Sequence, residues 1–276
     1  MKTEKKRVGT KAEIRAIKNR ERRIATAIFL VFILLIVIFS SYFTYNSLNQ
    51  PQNQTTNPAS SQLKAAIVDQ LSLTFPNQTF IETATNTLKQ AGYTVDYYSG
   101  DKVTVPFYSD LPAYGYELIV LRVHSTAANP DRKDPPVTLF TSERYDQKKY
   151  VPQQLTDQLV IVTFSEEDWK RGITYFGINP SFVTGSMIGR FPNTTIIMMG
   201  CGGLDNDSMA RAFVQKGAKV YIGWNGPITA SQTDQTTIIL LQKLIQEKQT
   251  IKDAVVNTME EVRADPVYKS VLGYFP

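Results

Sequence analysis

Two residue types that carry acyl-transfer chemistry occur once each in the 276-residue chain: one cysteine, Cys201, and one histidine, His124. Each closes an apolar run. Leu118–Val123 (LIVLRV) ends in His124-Ser125, and Thr195–Met199 (TIIMM) ends in Gly200-Cys201-Gly202-Gly203. If the two runs are neighbouring strands of an open parallel sheet, both side chains stand beyond the carboxyl ends of the strands, where such sheets bind ligands. A thiolate attacks a carbonyl, and an adjacent imidazole takes the thiol proton and later delivers it to the leaving amine. Cys201 sits on a glycine-rich turn ahead of a helix, whose positive end would favour the thiolate. The backbone N–H groups of that turn, Gly202 among them, and the N–H of Ser125 are candidate oxyanion donors.

The same counts exclude other chemistry. A lone cysteine forms no intramolecular disulfide, and a lone histidine with a lone cysteine gives no metal cluster, so neither metal nor cofactor is expected. There is no GxGxxG or P-loop pattern. The segment GCGGLDN read as an anion-binding nest at a helix N-terminus is one alternative.

The runs that must position these residues alternate in type. Ala65–Leu71, Tyr93–Tyr98, Leu118–Val123, Thr195–Met199 and Lys219–Gly223 read as strands, mostly continuous apolar ones. Gln78–Gln90, Ser208–Lys216, Gln232–Gln246 and Ile251–Ala264 read as helices. Asp205 or Asp207 is a candidate N-cap for the second helix and Gly217 its stop. This alternation predicts an α/β domain with a mainly parallel, Rossmann-like sheet and helices on both faces. The stretch Ala127–Gly189 interrupts the rhythm as an insertion, with strands expected at Val137–Thr141 and Leu159–Phe164.

Ahead of this domain, Ile24–Phe43 is 20 residues without charge, proline or glycine, long enough to cross a bilayer as one helix, and it runs into interfacial Tyr42, Phe43 and Tyr45. Residues 1–23 hold ten Lys/Arg against three Glu, a net +7; the whole chain carries +5, so the remainder sums to −2. The basic character therefore belongs to the tail, which predicts a cytoplasmic N-terminus and a single-pass protein of the cell membrane. Nucleic-acid binding by the main domain loses its support. Residues 44–63 are uncharged and rich in Asn, Gln, Ser, Thr and Pro, a flexible tether, leaving 64–276 as one extracytoplasmic domain. The expected partners are membrane lipid, through the N-terminal helix, and a protein or peptide substrate.

The segments YELIVLRVHST (Tyr116–Thr126) and TTIIMMGCGGLDNDSMARAFVQKGAKVYIGW (Thr194–Trp224) resemble the caspase–gingipain–legumain superfamily of cysteine peptidases, nearest to its gingipain and CHAT-type members. There an apolar strand ends in His-Gly or His-Ser, and a later one ends in the catalytic Cys. A helix with A-F-x-x-x-G-A and a strand ending near Trp follow, matched here by Ala212-Phe213, Gly217-Ala218 and Trp224. The resemblance implies a caspase-like fold with His124 and Cys201 as dyad and Trp224 near the wall of the specificity pocket. Three departures stand: a separation of 77 residues within the dyad, Ser125 for the commoner Gly, and Gly200 for Ala. Asp205 and Asp207 could pair with a basic substrate side chain, or cap a helix and face solvent; Asp234 is a similar ambiguity near a helix N-terminus. The functional expectation is a membrane-anchored cysteine peptidase. The alternative is an inactive caspase-like binding or sensor domain.

Overall fold

The computed structural model describes residues 63–127, 133 and 135–276. The expected basic tail (1–23), the spanning segment Ile24–Phe43 and all but the last residue of the tether lie outside the described residues. Among the described residues no helix is long and apolar enough to cross a membrane.

Numbered along the chain, the described strands are β1 (Lys64–Asp69), β2 (Thr94–Ser99), β3 (Leu118–Arg122), β4 (Ser125–Thr126), β5 (Thr138–Arg144), β6 (Leu159–Val162), β7 (Tyr175–Ile178), β8 (Thr195–Met198), β9 (Val220–Trp224) and β10 (Leu272–Phe275). The helices are α1 (Gln78–Gln90), α2 (Val105–Asp110), α3 (Val151–Leu155), α4 (Glu166–Lys170), α5 (Pro180–Gly185), α6 (Ser208–Gln215), α7 (Ala230–Leu241) and α8 (Ile251–Val262). Six strands form one sheet in the order β10-β9-β8-β3-β1-β2, parallel throughout except for the antiparallel edge strand β10. This is the mixed α/β, mainly parallel architecture that the alternation of runs predicts.

Both faces of the four inner strands are buried, which is why those strands read as nearly continuous apolar runs. Ala65, Ile67, Leu118, Val120, Ile197 and Ile222 point to the face covered by α1, α7 and α8. Their neighbours Ala66, Val68, Ile119, Leu121, Ile196 and Tyr221 point to the other face, packed by α2, α5 and α6. Helix α1 starts where Asn77 accepts the N–H of Phe80, and its Phe80, Ile81, Ala84 and Leu88 form the buried stripe.

The insertion, with β4 just ahead of it, builds a second sheet, antiparallel, in the order β4-β5-β7-β6. Its Leu139, Leu159, Phe176 and Ile178 join the core cluster that also holds Ile119 and Leu121. Because β3 and β8 are hydrogen-bonded neighbours, with Leu118 opposite Thr195 and Leu121 opposite Met198, the insertion loops out between two adjacent strands. It leaves their tips side by side.

Candidate active site

His124 follows β3 by two residues and Cys201 follows β8 by three, on the same end of the sheet. Met199 N–H donates to the Leu121 carbonyl at 2.9 Å, extending the pairing past the end of β8. Beyond that point the two loops are tied directly: Ser125 Oγ donates to the Cys201 carbonyl at 2.6 Å. The turn requires glycine at 200, where a Cβ would fall inside contact distance of the Val123 carbonyl and of the Ser125 hydroxyl that fills the space. Gly200→Ala is therefore expected to cost about 1–3 kcal/mol by overpacking against backbone, read as a lowered unfolding midpoint in urea.

His124 and Cys201 line one cavity of about 350 Å³, together with Leu71, Phe75, Met199, Ile228 and others. Within it the two side chains bond to other groups. The imidazole Nε2 is 2.9 Å from Thr74 Oγ1, and the thiol donates to the Ile228 carbonyl at 3.6 Å. His124 N–H donates to Gln70 Oε1 at 2.9 Å, and its carbonyl accepts from Phe140 N–H, so the backbone of the residue is clamped from both sides. Three aromatic rings surround the imidazole: Phe75 edge-on, Phe140 tilted and Phe164 stacked with centroids 5.5 Å apart. Phe140 and Phe164 belong to the insertion. Burial among these rings, reinforced by the charge of nearby Arg122, lowers the His124 pKa from 6.5 to about 4, so the ring is neutral at pH 7.

Beneath the site lies a buried ion-pair network. Arg122, 0% exposed, donates through Nε and Nη2 to Asp234 at 2.8 and 2.9 Å and through Nη1 to Asp69 at 2.7 Å. Its Nη2 also donates to the Phe75 carbonyl at 2.7 Å. Asn77 Nδ2 adds a hydrogen bond to Asp234, and Tyr97 Oη one to Asp69. Burial works against the charge of Arg122, but the hydrogen bonds to Asp234 and Asp69 outweigh it and hold its pKa above the ordinary value. The network anchors the loop Gln70–Asn77, which carries Thr74 and Phe75 to the imidazole.

Several residues sit where the sequence alone did not place them. The N–H of Gly202 (φ +61°) donates to the Gly226 carbonyl at 2.8 Å, so it offers no free oxyanion donor in this conformation. Leu204 N–H similarly binds the Trp224 carbonyl, stitching the cysteine turn to the end of β9. Ser125 lies in β4, paired with Leu139, and its hydroxyl braces the cysteine turn. Trp224 is 1% exposed and its indole N–H donates to Thr233 Oγ1 at 3.0 Å; it is a core residue that presents no ring face to the cavity. Asp207 occupies the N-cap position of α6 without a side-chain capping bond, because its carboxylate pairs with Arg211 on the surface. The capping contact comes from Asn206, whose Oδ1 accepts from Ser208 N–H. Asp205 packs its carboxylate over Gly202, and partial desolvation there raises its pKa above the usual carboxylate value. Neither aspartate lines the cavity. Helix α6 begins only at Ser208, a full loop beyond the cysteine.

Thr74, Gln70, Phe164 and the Asp69–Arg122 pair were not singled out as site elements from sequence, and Asp234, weighed there as a helix N-terminal or substrate-pairing charge, is instead a buried counter-ion of Arg122. The available signal was Arg122, a charge embedded in the apolar run LIVLRV, which demands a buried counter-ion. Compared with protein-family models and with curated proteins, the chain matches none.

Proposed function

We propose that this chain is a membrane-anchored cysteine peptidase with a caspase-like domain outside the cytoplasm and a His124–Cys201 dyad. The observation that carries the reading is the convergence of the chain's lone imidazole and lone thiol on one cavity, at the tips of two hydrogen-bonded parallel strands. Thr74 acts as the group that orients the base. In the tautomer whose Nε2–H donates to Thr74 Oγ1, Nδ1 is the acceptor for a proton.

In the reaction, the Cys201 thiol gives its proton to His124 and the sulfur attacks the substrate carbonyl carbon. The C–N bond then breaks, the departing amine takes the proton from the imidazolium, and a thioester remains on Cys201. Water, deprotonated by His124, adds to the thioester. The C–S bond breaks, and the proton returns to sulfur as the carboxylic acid leaves. Two adjustments precede the first step: the thiol leaves the Ile228 carbonyl, and the Gly202 N–H is released from Gly226 to face the oxyanion.

Those two hydrogen bonds, with the desolvated imidazole, are also what favours a second reading, a binding or sensor domain without turnover. The two readings separate in one experiment. The full chain, in membrane vesicles, is treated with an electrophilic peptide ketone that alkylates Cys201. Loss of the base in His124→Ala is expected to slow labelling roughly 100-fold. Equal labelling of the two proteins would identify a bare thiol and overturn the peptidase.

A further inference from the structure

We infer that the substrate residue whose carbonyl meets Cys201 carries an uncharged, apolar side chain of about leucine to phenylalanine size, held in the cavity shared by the dyad. The inference rests on the peptidase reading above.

Apart from the two reactive side chains, the cavity is lined mostly by apolar groups. Leu71, Phe75, Val123, Met199 and Ile228 supply them, with the ring of Tyr268, and among the described residues no Asp, Glu, Lys or Arg lines the cavity. Its hydroxyl-bearing threonines are already engaged. Thr229 Oγ1 donates to Asp265 at 3.0 Å, while Thr233 Oγ1 donates to the Met199 carbonyl and accepts the Trp224 indole N–H.

The nearby charges of Asp265 and Arg122 are buried and held by hydrogen bonds where they stand. Asp265 is 0% exposed and accepts the N–H groups of Val267 and Tyr268 as well as Thr229. Arg122 is equally buried, with its guanidinium on Asp234, Asp69 and the Phe75 carbonyl. On the described lining a basic substrate side chain meets no carboxylate, and an acidic one meets no cation. Burial of an unpaired charge is strongly unfavourable, whereas an apolar group gains by leaving water.

Size points the same way. About 350 Å³ is at the small end of the roughly 300–1,000 Å³ range of ligand pockets, room for one side chain and its backbone. A residue seated with its side chain against Met199 and Ile228 occupies the same cavity as His124 and Cys201.

The test uses the full chain in membrane vesicles and three acyloxymethyl ketones that differ only in the residue beside the ketone: Leu, Arg or Asp. In the labelling step Cys201 sulfur bonds to the methylene carbon, the carboxylate leaves with the bonding pair, and the thiol proton passes to His124. Rates are read by mass spectrometry of the Cys201 peptide. The Leu probe is expected to react roughly 100-fold faster than either charged probe. Ile228→Glu, which places a carboxylate in the wall, is expected to make the Arg probe the faster one.

A His124-dependent reaction fastest with Arg or Asp in the unaltered chain overturns the apolar pocket and leaves the peptidase standing. If no ketone labels Cys201, the peptidase fails, and the pocket is then read by protection from iodoacetamide. Slower alkylation with N-acetyl-leucinamide than with N-acetyl-argininamide supports an apolar site, and equal protection overturns it.

Discussion

Arg122→Ala is expected to remove about 3–5 kcal/mol of folding stability, a large part of the roughly 5–15 kcal/mol that holds an ordinary domain together. The reason lies in what the substitution leaves behind. Asp69 is 1% exposed and Asp234 5% exposed, and both lose their cation in a place that water does not reach. The Phe75 carbonyl loses its donor at the same time. Urea unfolding of the full chain, followed by tryptophan fluorescence, measures the loss. Replacing the three charges together, as R122M/D69L/D234L, is expected to recover most of it, because an apolar triad of similar volume carries no desolvation penalty. If Arg122→Ala unfolds at the same urea concentration as the unaltered chain, the network contributes nothing and the argument fails.

Acidification is expected to cost nearly as much through one residue. Folding lowers the His124 pKa from 6.5 to about 4, chiefly by burial and secondarily through Arg122. Above pH 6.5 both the folded and the unfolded ring are neutral, and the contribution to stability is complete. As pH falls from 6.5 toward 4, the unfolded chain binds a proton that the folded chain refuses, and stability drops by about 3 kcal/mol. Below the folded value no further loss comes from this group. Unfolding midpoints measured at pH 7 and pH 4.5 should therefore diverge for the unaltered chain and diverge less for His124→Asn. Identical pH dependence in the two proteins would mean that the imidazole is hydrated in the folded state.

How much of this the sequence carried differs from element to element, for physical reasons. Helix α1 was legible to the residue because Asn77 caps it, Gly92 follows it and its apolar stripe repeats at helical spacing. The central strands were legible because burial on both faces leaves continuous β-branched runs. Helix α7 begins two residues earlier than its pattern suggested. The expected single helix over Gln232–Gln246 instead ends as a π-helical turn, Gln242–Gln246, a wider winding that leaves the apolar pattern nearly intact.

Strand β7 escaped notice because Gly177 interrupts a four-residue run, and β10 because a four-residue edge strand with Gly273 at its second position has no periodicity to detect. In the site, His124 and Cys201 were visible as strand-end residues. Their orienting contacts were not, because Thr74 and Phe164 reach the imidazole, and Gln70 the His124 backbone N–H, from positions about 40–54 residues distant, and no local pattern encodes such a meeting. The Gly202 N–H misled for a related reason. A glycine-rich turn announces backbone freedom but not its hydrogen-bond partner, here a carbonyl 24 residues on.

The strand order also has a consequence for birth on the ribosome. β1, β2 and β3 emerge within 59 residues and can pair at once, but the next neighbour of β3 is β8, whose first residue follows the last of β3 by 73 positions. At about 5–20 residues per second, the flank of LIVLR stays bare for several seconds, an invitation to pair with another nascent chain. Arg122 stands at the end of that flank with only Asp69 as a partner while Asp234 is still unsynthesised, and a guanidinium only partly compensated there discourages stray strands until the proper one arrives.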